Sequence, residues 1–138
     1  MATFDPADHK VIATTSTPAL GQAMKIMLMA MGFGGVEIVQ PEDICKRAEE
    51  LKPTFILYTP EYLTMPMAEI VKIGCPCSQK KECRNALTVI FLKKKTFESI
   101  QASKQIGFDG IIFADQSMDR LLTALETVYQ VGLDQETL

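Results

Sequence analysis

The sequence predicts a three-layer α/β/α domain: a five-stranded parallel sheet with helices on both faces. Two patterns carry this expectation. Short β-branched apolar runs alternate along the chain with longer segments of helical periodicity. The runs are also apolar at successive positions, as strands buried on both faces must be. The size agrees, because 138 residues with 47% hydrophobic and 22% charged side chains suit one compact domain. The domain is expected to span 1–138, with its packed core at about 9–131.

The elements follow in order. Lys10-Val11-Ile12-Ala13-Thr14 is the first strand. Thr17-Pro18 then signals a helix start, since Thr can cap and Pro is tolerated at the first helical position. Leu20, Met24, Met27, Leu28 and Met31 share one helical face, and Gly32, Gly34 and Gly35 stop that helix. Met24, Met27, Met29 and Met31 are expected to fill core space under the sheet. Val36–Val39 is the second strand. Pro41-Glu42-Asp43 opens a second helix with acids in its first turn, where the helix dipole favours them. Its apolar stripe is Ile44, Ala48 and Leu51, with Cys45 beside it as a small core residue, and Pro53 ends it. Phe55–Tyr58 is the third strand, and Met67–Ile73 a third helix. Leu87–Leu92 is the strongest strand of the chain. Thr96–Ile106 is a weakly amphipathic helix, and Gly110–Phe113 the fifth strand. Leu121, Leu122, Leu125, Val128 and Tyr129 stripe the last helix, and Asp134–Leu138 is expected to fray.

This alternation fits a flavodoxin-like (βα)5 arrangement with strand order 2-1-3-4-5. Ligands of such folds bind beyond the carboxyl ends of the strands, at the switch point. The formal charge of -3 and pI of about 5.2 argue against general nucleic-acid binding. No apolar run approaches the roughly 20 residues that span a bilayer, so no membrane insertion is expected. The start, Met1-Ala2-Thr3-Phe4-Asp5-Pro6, lacks a signal-peptide pattern, and a cytoplasmic location is expected.

The chain resembles the receiver domains of bacterial two-component response regulators, including chemotaxis receivers. The resemblance rests on the element order, on Lys10-Val11-Ile12 leading to Thr17-Pro18-Ala19-Leu20, on Pro53-Thr54-Phe55-Ile56-Leu57, and on Gly107-Phe108-Asp109-Gly110 before the fifth strand. It covers nearly the whole length. Receivers take a phosphoryl group on an aspartate ending the third strand, with magnesium held by acids after the first strand. The resemblance places that acid pair on Thr15 and Ser16 and the phosphoacceptor on Thr59. It places the fourth-strand hydroxyl on Lys93, the switch aromatic on Ile111, the phosphoryl-contacting lysine on Ala114 and the following proline on Asp115. Every one of these positions has changed. A hydroxyl cannot replace a carboxylate as a magnesium ligand at comparable strength. Thr59 keeps a hydroxyl that a kinase can modify, though not by the metal-assisted aspartyl route. A shift of alignment by one residue does not help: Glu61 is the only acid near the end of the third strand, and Glu37 the only one from Lys10 to Gln40. The resemblance therefore implies a pseudo-receiver. Lys93-Lys94-Lys95 beside the threonines either favours an anion or is a solvated run that guards a hydrophobic strand.

The polar loop from Gly74 to Asn85 carries Cys75, Cys77 and Cys83. Three chemistries remain open. The thiolates, with His9 from the same end of the sheet, make a conceivable site for zinc or another soft metal, although the spacing lacks the usual C-x₂₋₄-C pairs. Lys80, Lys81 and Arg84 would lower the thiol pKa and favour redox reactivity. Reduced, inert or interface-packed thiols are the third. His9 by itself, next to Asp8, is expected to be exposed.

The leading expectation is a non-enzymatic, stand-alone signalling module with no required cofactor. It acts through a protein partner or as a homodimer, in a two-component-like or motility pathway. The resemblance places the partner face on 96–106 and on the polar side of 115–130, with Thr96, Ser99, Lys104, Asp115, Asp119 and Arg120. The alternative is a metal- or redox-sensing protein that uses the cysteine loop. An enzyme is disfavoured, because the sequence shows no nucleophile–base pair and no Gly-rich phosphate loop.

Overall fold

The computed structural model describes residues 4–15, 17–40, 43–59, 86–92, 97, 100, 101, 108–113 and 117–136, excepting the side chains of 45 and 132–136. The strands are β1 (Lys10–Thr14), β2 (Gly35–Val39), β3 (Phe55–Tyr58), β4 (Leu87–Leu92) and β5 (Gly110–Phe113). The helices are α1 (Pro18–Ala30), α2 (Ile44–Leu51) and α3 (Met118–Glu136). All pairings are parallel, in the order β2-β1-β3-β4-β5. This is the expected flavodoxin-like sheet. The expected helix 67–73 lies outside the described residues, as do the cysteine loop and the side chain of Cys45. So does 96–106 apart from Phe97, Ile100 and Gln101, whose backbone is helical.

Alternation along each strand sorts the apolar residues into two cores. Val11, Ala13, Phe55, Leu57, Val89, Phe91 and Ile112 meet Met24 and Leu28 of α1 and Leu121 and Leu125 of α3. Ile12, Ile56 and Tyr58 meet Ile44 and Ala48 of α2, with Phe108 packed alongside. β1 and β3 thus serve both cores, and in the two strands only Lys10 is exposed. Each large apolar side chain fully buried in this way contributes about 1.5–3 kcal/mol.

Local chemistry sets the ends of the elements. α1 stops at Gly32, which takes φ 98, a region open to glycine at little cost. α2 stops at Lys52, in left-handed backbone just before Pro53, and the Lys52 N–H closes the turn on the Ala48 carbonyl at 2.9 Å. Thr17 occupies the N-cap of α1 but makes no side-chain cap bond; its N–H donates instead to Thr15 Oγ1 at 3.2 Å. The last helix continues to Glu136, past the expected fraying point at Asp134.

The Gly107-Phe108-Asp109-Gly110 motif has a clear role at its described residues. The Thr88 N–H and hydroxyl both donate to Asp109 Oδ2, at 2.8 and 3.1 Å, and the Asp109 N–H donates to the Thr88 carbonyl at 2.8 Å. This clasp fixes the turn that feeds β5 against β4. A Cβ on Gly110 would collide with Val128 of α3, so glycine lets the last helix sit close on the sheet.

The packed core begins at Phe4, earlier than the expected residue 9. Pro6–Asp8 forms a 3-10 turn capped by Asp5, which accepts from the Ala7 N–H at 3.1 Å. Phe4 stacks on His9 with centroids 4.8 Å apart and meets Phe33, Phe55 and Tyr129 edge-on or tilted. The Gly34 N–H is shared by the carbonyls of Pro6 and His9, at 3.0 and 2.9 Å. His9 is therefore half-buried: its ring also meets Tyr129, and its Nδ1 pairs with Thr54 Oγ1 at 2.8 Å. Burial lowers the His9 pKa from its ordinary 6.5, against the opposing pull of Asp8 and Asp5.

Two outcomes follow from this frame. Asp109→Ala leaves both Thr88 donors without an acceptor and should lower stability by about 1–3 kcal/mol in urea titration. The folded state prefers neutral His9, while the unfolded chain takes up a proton as the pH falls through 6.5. The stability that His9 contributes should thus be full above pH 6.5 and decline below it. His9→Gln should remove that component of a pH series of denaturation midpoints.

Candidate functional site

Parallel pairing sets Thr14 level with Tyr58, so β1 and β3 end together at one mouth of the sheet. The next residues, Thr15 and Thr59, line that mouth. Thr14, Thr15 and Thr59 are all buried. Thr59 Oγ1 donates to the Thr14 carbonyl at 2.7 Å, and Thr15 Oγ1 accepts from the Thr17 N–H. Thr14 Oγ1 has no hydrogen-bond partner among the described residues. The threonines thus turn inward: Thr59 ties the two strand ends together, and Thr15 steadies the entry to α1. No carboxylate stands at the described mouth positions, and among the described residues no group of three His, Cys, Asp or Glu could hold a metal ion.

The magnesium of a receiver does not fit the described residues at this mouth. Thr15 and Thr59, to which the resemblance assigns a ligand and the acceptor position, carry hydroxyls already engaged with backbone, where the cation needs carboxylate charge. Ser16, Lys93 and Ala114, the other positions expected at the mouth, lie outside the described residues. So do Thr96, Ser99, Lys104 and Asp115 of the expected partner face, and Cys75, Cys77 and Cys83. Asp119 and Arg120 of that face are exposed in the first turn of α3, the Arg120 N–H reaching Ser117 Oγ at 3.4 Å. Ile111 lies half-buried in β5. His9 sits at the amino end of β1, away from the mouth, with Nδ1 committed to Thr54.

Sequence reasoning missed the surface beside the mouth. A groove of about 560 Å³ runs between α1 and the outer strand β2, bordered by Thr15, Lys25, Ile26, Met29, Ile38 and Gln40. Ile26 is 68% and Met29 58% exposed, so Met29 is not the core filler expected of it. The cause is the 100° step of the helix: Met24 and Leu28 face the sheet, and Ile26 and Met29 fall on the flank. The same step, applied residue by residue, would have found them. Below the groove, Arg47 of α2 grips Glu37 of β2 through Nε–Oε1 and Nη2–Oε2, each 2.6 Å, and also pairs with Glu50.

No family model matches the chain, and no curated protein does either. Solved structures do. The chemotaxis protein CheY4 of Vibrio cholerae is 19% identical, with 87% of this chain and 98% of that one covered at a TM-score of 0.71. A DNA-binding response regulator of the LuxR family from Staphylococcus aureus is 20% identical over 88% and 98%, at 0.68. A pilus assembly-related protein from Burkholderia pseudomallei is 9% identical over 94% and 96%, at 0.74. The chain has the fold of CheY-like response regulator receiver domains.

The mouth threonines should respond in opposite ways to the same isosteric change. Thr59→Val removes the donor to the Thr14 carbonyl and should cost about 1 kcal/mol. Thr14→Val removes a buried hydroxyl that has no partner among the described residues and should be neutral or stabilising by up to about 1 kcal/mol. Denaturant midpoints of the two variants check this.

Proposed function

We propose that this chain is a pseudo-receiver: a cytoplasmic, non-enzymatic signalling module that works by protein–protein contact, without aspartyl phosphorylation, in a two-component-like or motility pathway. The observation that carries the reading is the threonine mouth. Phosphoryl transfer to a receiver aspartate needs a carboxylate nucleophile and a cation that neutralises the developing charge. Here Thr59 occupies the acceptor position as a buried hydroxyl spent on the Thr14 carbonyl, and Thr15 is spent on the Thr17 N–H. Output is then set by which partner is bound.

The face proposed for that partner is the one built from 96–106, β5 and the polar side of α3, with Thr96, Ser99, Lys104, Asp115, Asp119 and Arg120. Asp119 and Arg120 offer exposed charges of both signs, and Phe97 (76% exposed) and Met118 offer apolar anchors of the kind that dominate protein contacts.

Incubation with acetyl phosphate and magnesium tests the reading. The intact mass should stay unchanged, and neutral hydroxylamine should release no phosphate. A hydroxylamine-labile acyl phosphate on any aspartate would overturn it.

A further inference from the structure

We propose that the outer edge of β2, with the adjoining flank of α1, is a homodimer interface in which β2 pairs antiparallel with β2 of a second copy. The proposal does not rest on the reading of the mouth. β2 and β5 are opposite edges of the sheet, so this surface is separate from the partner face on α3.

The first support is the open edge. β2 pairs only with β1 among the described residues, so no described strand meets the backbone donors and acceptors along its outer side. Sheet proteins normally guard such an edge with lysine, proline or a bulge. Gly35-Val36-Glu37-Ile38-Val39 has neither lysine nor proline, and its one charge, Glu37, is neutralised by the two-point grip of Arg47. A five-residue edge of this kind, with Val36, Ile38 and Val39 apolar and its one charge paired, is a template for strand addition.

The second support is self-complementarity. A two-fold contact presents one patch to itself, so the patch must carry both charge signs, or none. An antiparallel register centred on Glu37 sets Val36 of each copy against Ile38 of the other. It leaves both copies of α1 on the same face of the joined sheet, side by side across the axis. The flank carrying exposed Ile26 and Met29 then meets its own image, and the groove between α1 and β2 is filled. On the other face, the two Glu37–Arg47 pairs come together with charges alternating, and Lys46 and Glu50 extend the mixture of signs. A partner with a single-signed surface would not match this patch; a second copy does.

Sedimentation of the full chain across micromolar to millimolar concentration, with amide exchange on the same samples, tests the proposal. A species of twice the 15.3 kDa chain mass is expected, with exchange at Gly35–Val39 slowing as the dimer fills. Ile26→Glu with Met29→Glu, both at exposed positions, should weaken association by roughly tenfold or more, with the melting temperature of the dilute, monomeric chain unchanged. Phe97→Ser, on the opposite side, should leave it unaltered. A chain that stays monomeric throughout would overturn the proposal. So would a dimer without protection at Gly35–Val39, or one lost on Phe97→Ser and kept by the double variant. The exchange readout uses the unaltered chain, so the result stands even if the double variant fails to fold.

Discussion

Three parallel strands, β1, β3 and β4, are buried on both faces, and the rest of the molecule is arranged to keep them so. A strand buried on both sides has no polar face, so its residues must supply two cores at once. Val11, Ala13, Phe55 and Leu57 serve the α1 and α3 side, while Ile12, Ile56 and Tyr58 serve the α2 side. Pairing Thr14 with Tyr58 then fixes where both strands end, and hence what lines the mouth. The Thr88–Asp109 clasp and the Phe4–His9–Tyr129 cluster seal the opposite end.

The same constraint explains why threonine suits the mouth. The positions after β1 and β3 are buried, and a carboxylate there must be matched by a cation or by dense hydrogen bonding to offset its desolvation. Threonine carries no charge, fits beside β-branched neighbours, and can return its hydroxyl to a strand-end carbonyl, as Thr59 does to Thr14. In the proposed reading, a strand-to-strand tie stands where a receiver has its cation site, which suits a module that signals by surface contacts.

Much of the fold was legible in the sequence, because buried strands write an unmistakable pattern. Lys10–Thr14, Phe55–Tyr58, Leu87–Leu92 and Gly110–Phe113 lie where the apolar runs place them, and β2 begins one residue early, at Gly35. What escaped depends on contacts distant in sequence. Phe4 and His9 look like a loose terminus until Phe33, Phe55 and Tyr129 are brought around them. Met29 looks like core by residue type, and only the wheel of α1 turns it to the surface. The identity of the mouth residues could be read from alignment to a fold. Their inward hydrogen bonds could not, because side-chain direction at a strand end is set by the neighbouring strand.

In the proposed reading, hydroxyls engaged with backbone stand in place of a cation-binding phosphorylation mouth. Magnesium titration of isotopically labelled protein, followed by amide chemical shifts, tests it most directly. The amides of Thr14, Thr15, Tyr58 and Thr59 should stay in place as magnesium is raised, with only weak, non-saturating changes at exposed acids such as Asp119. A saturable shift confined to those four mouth amides would contradict it.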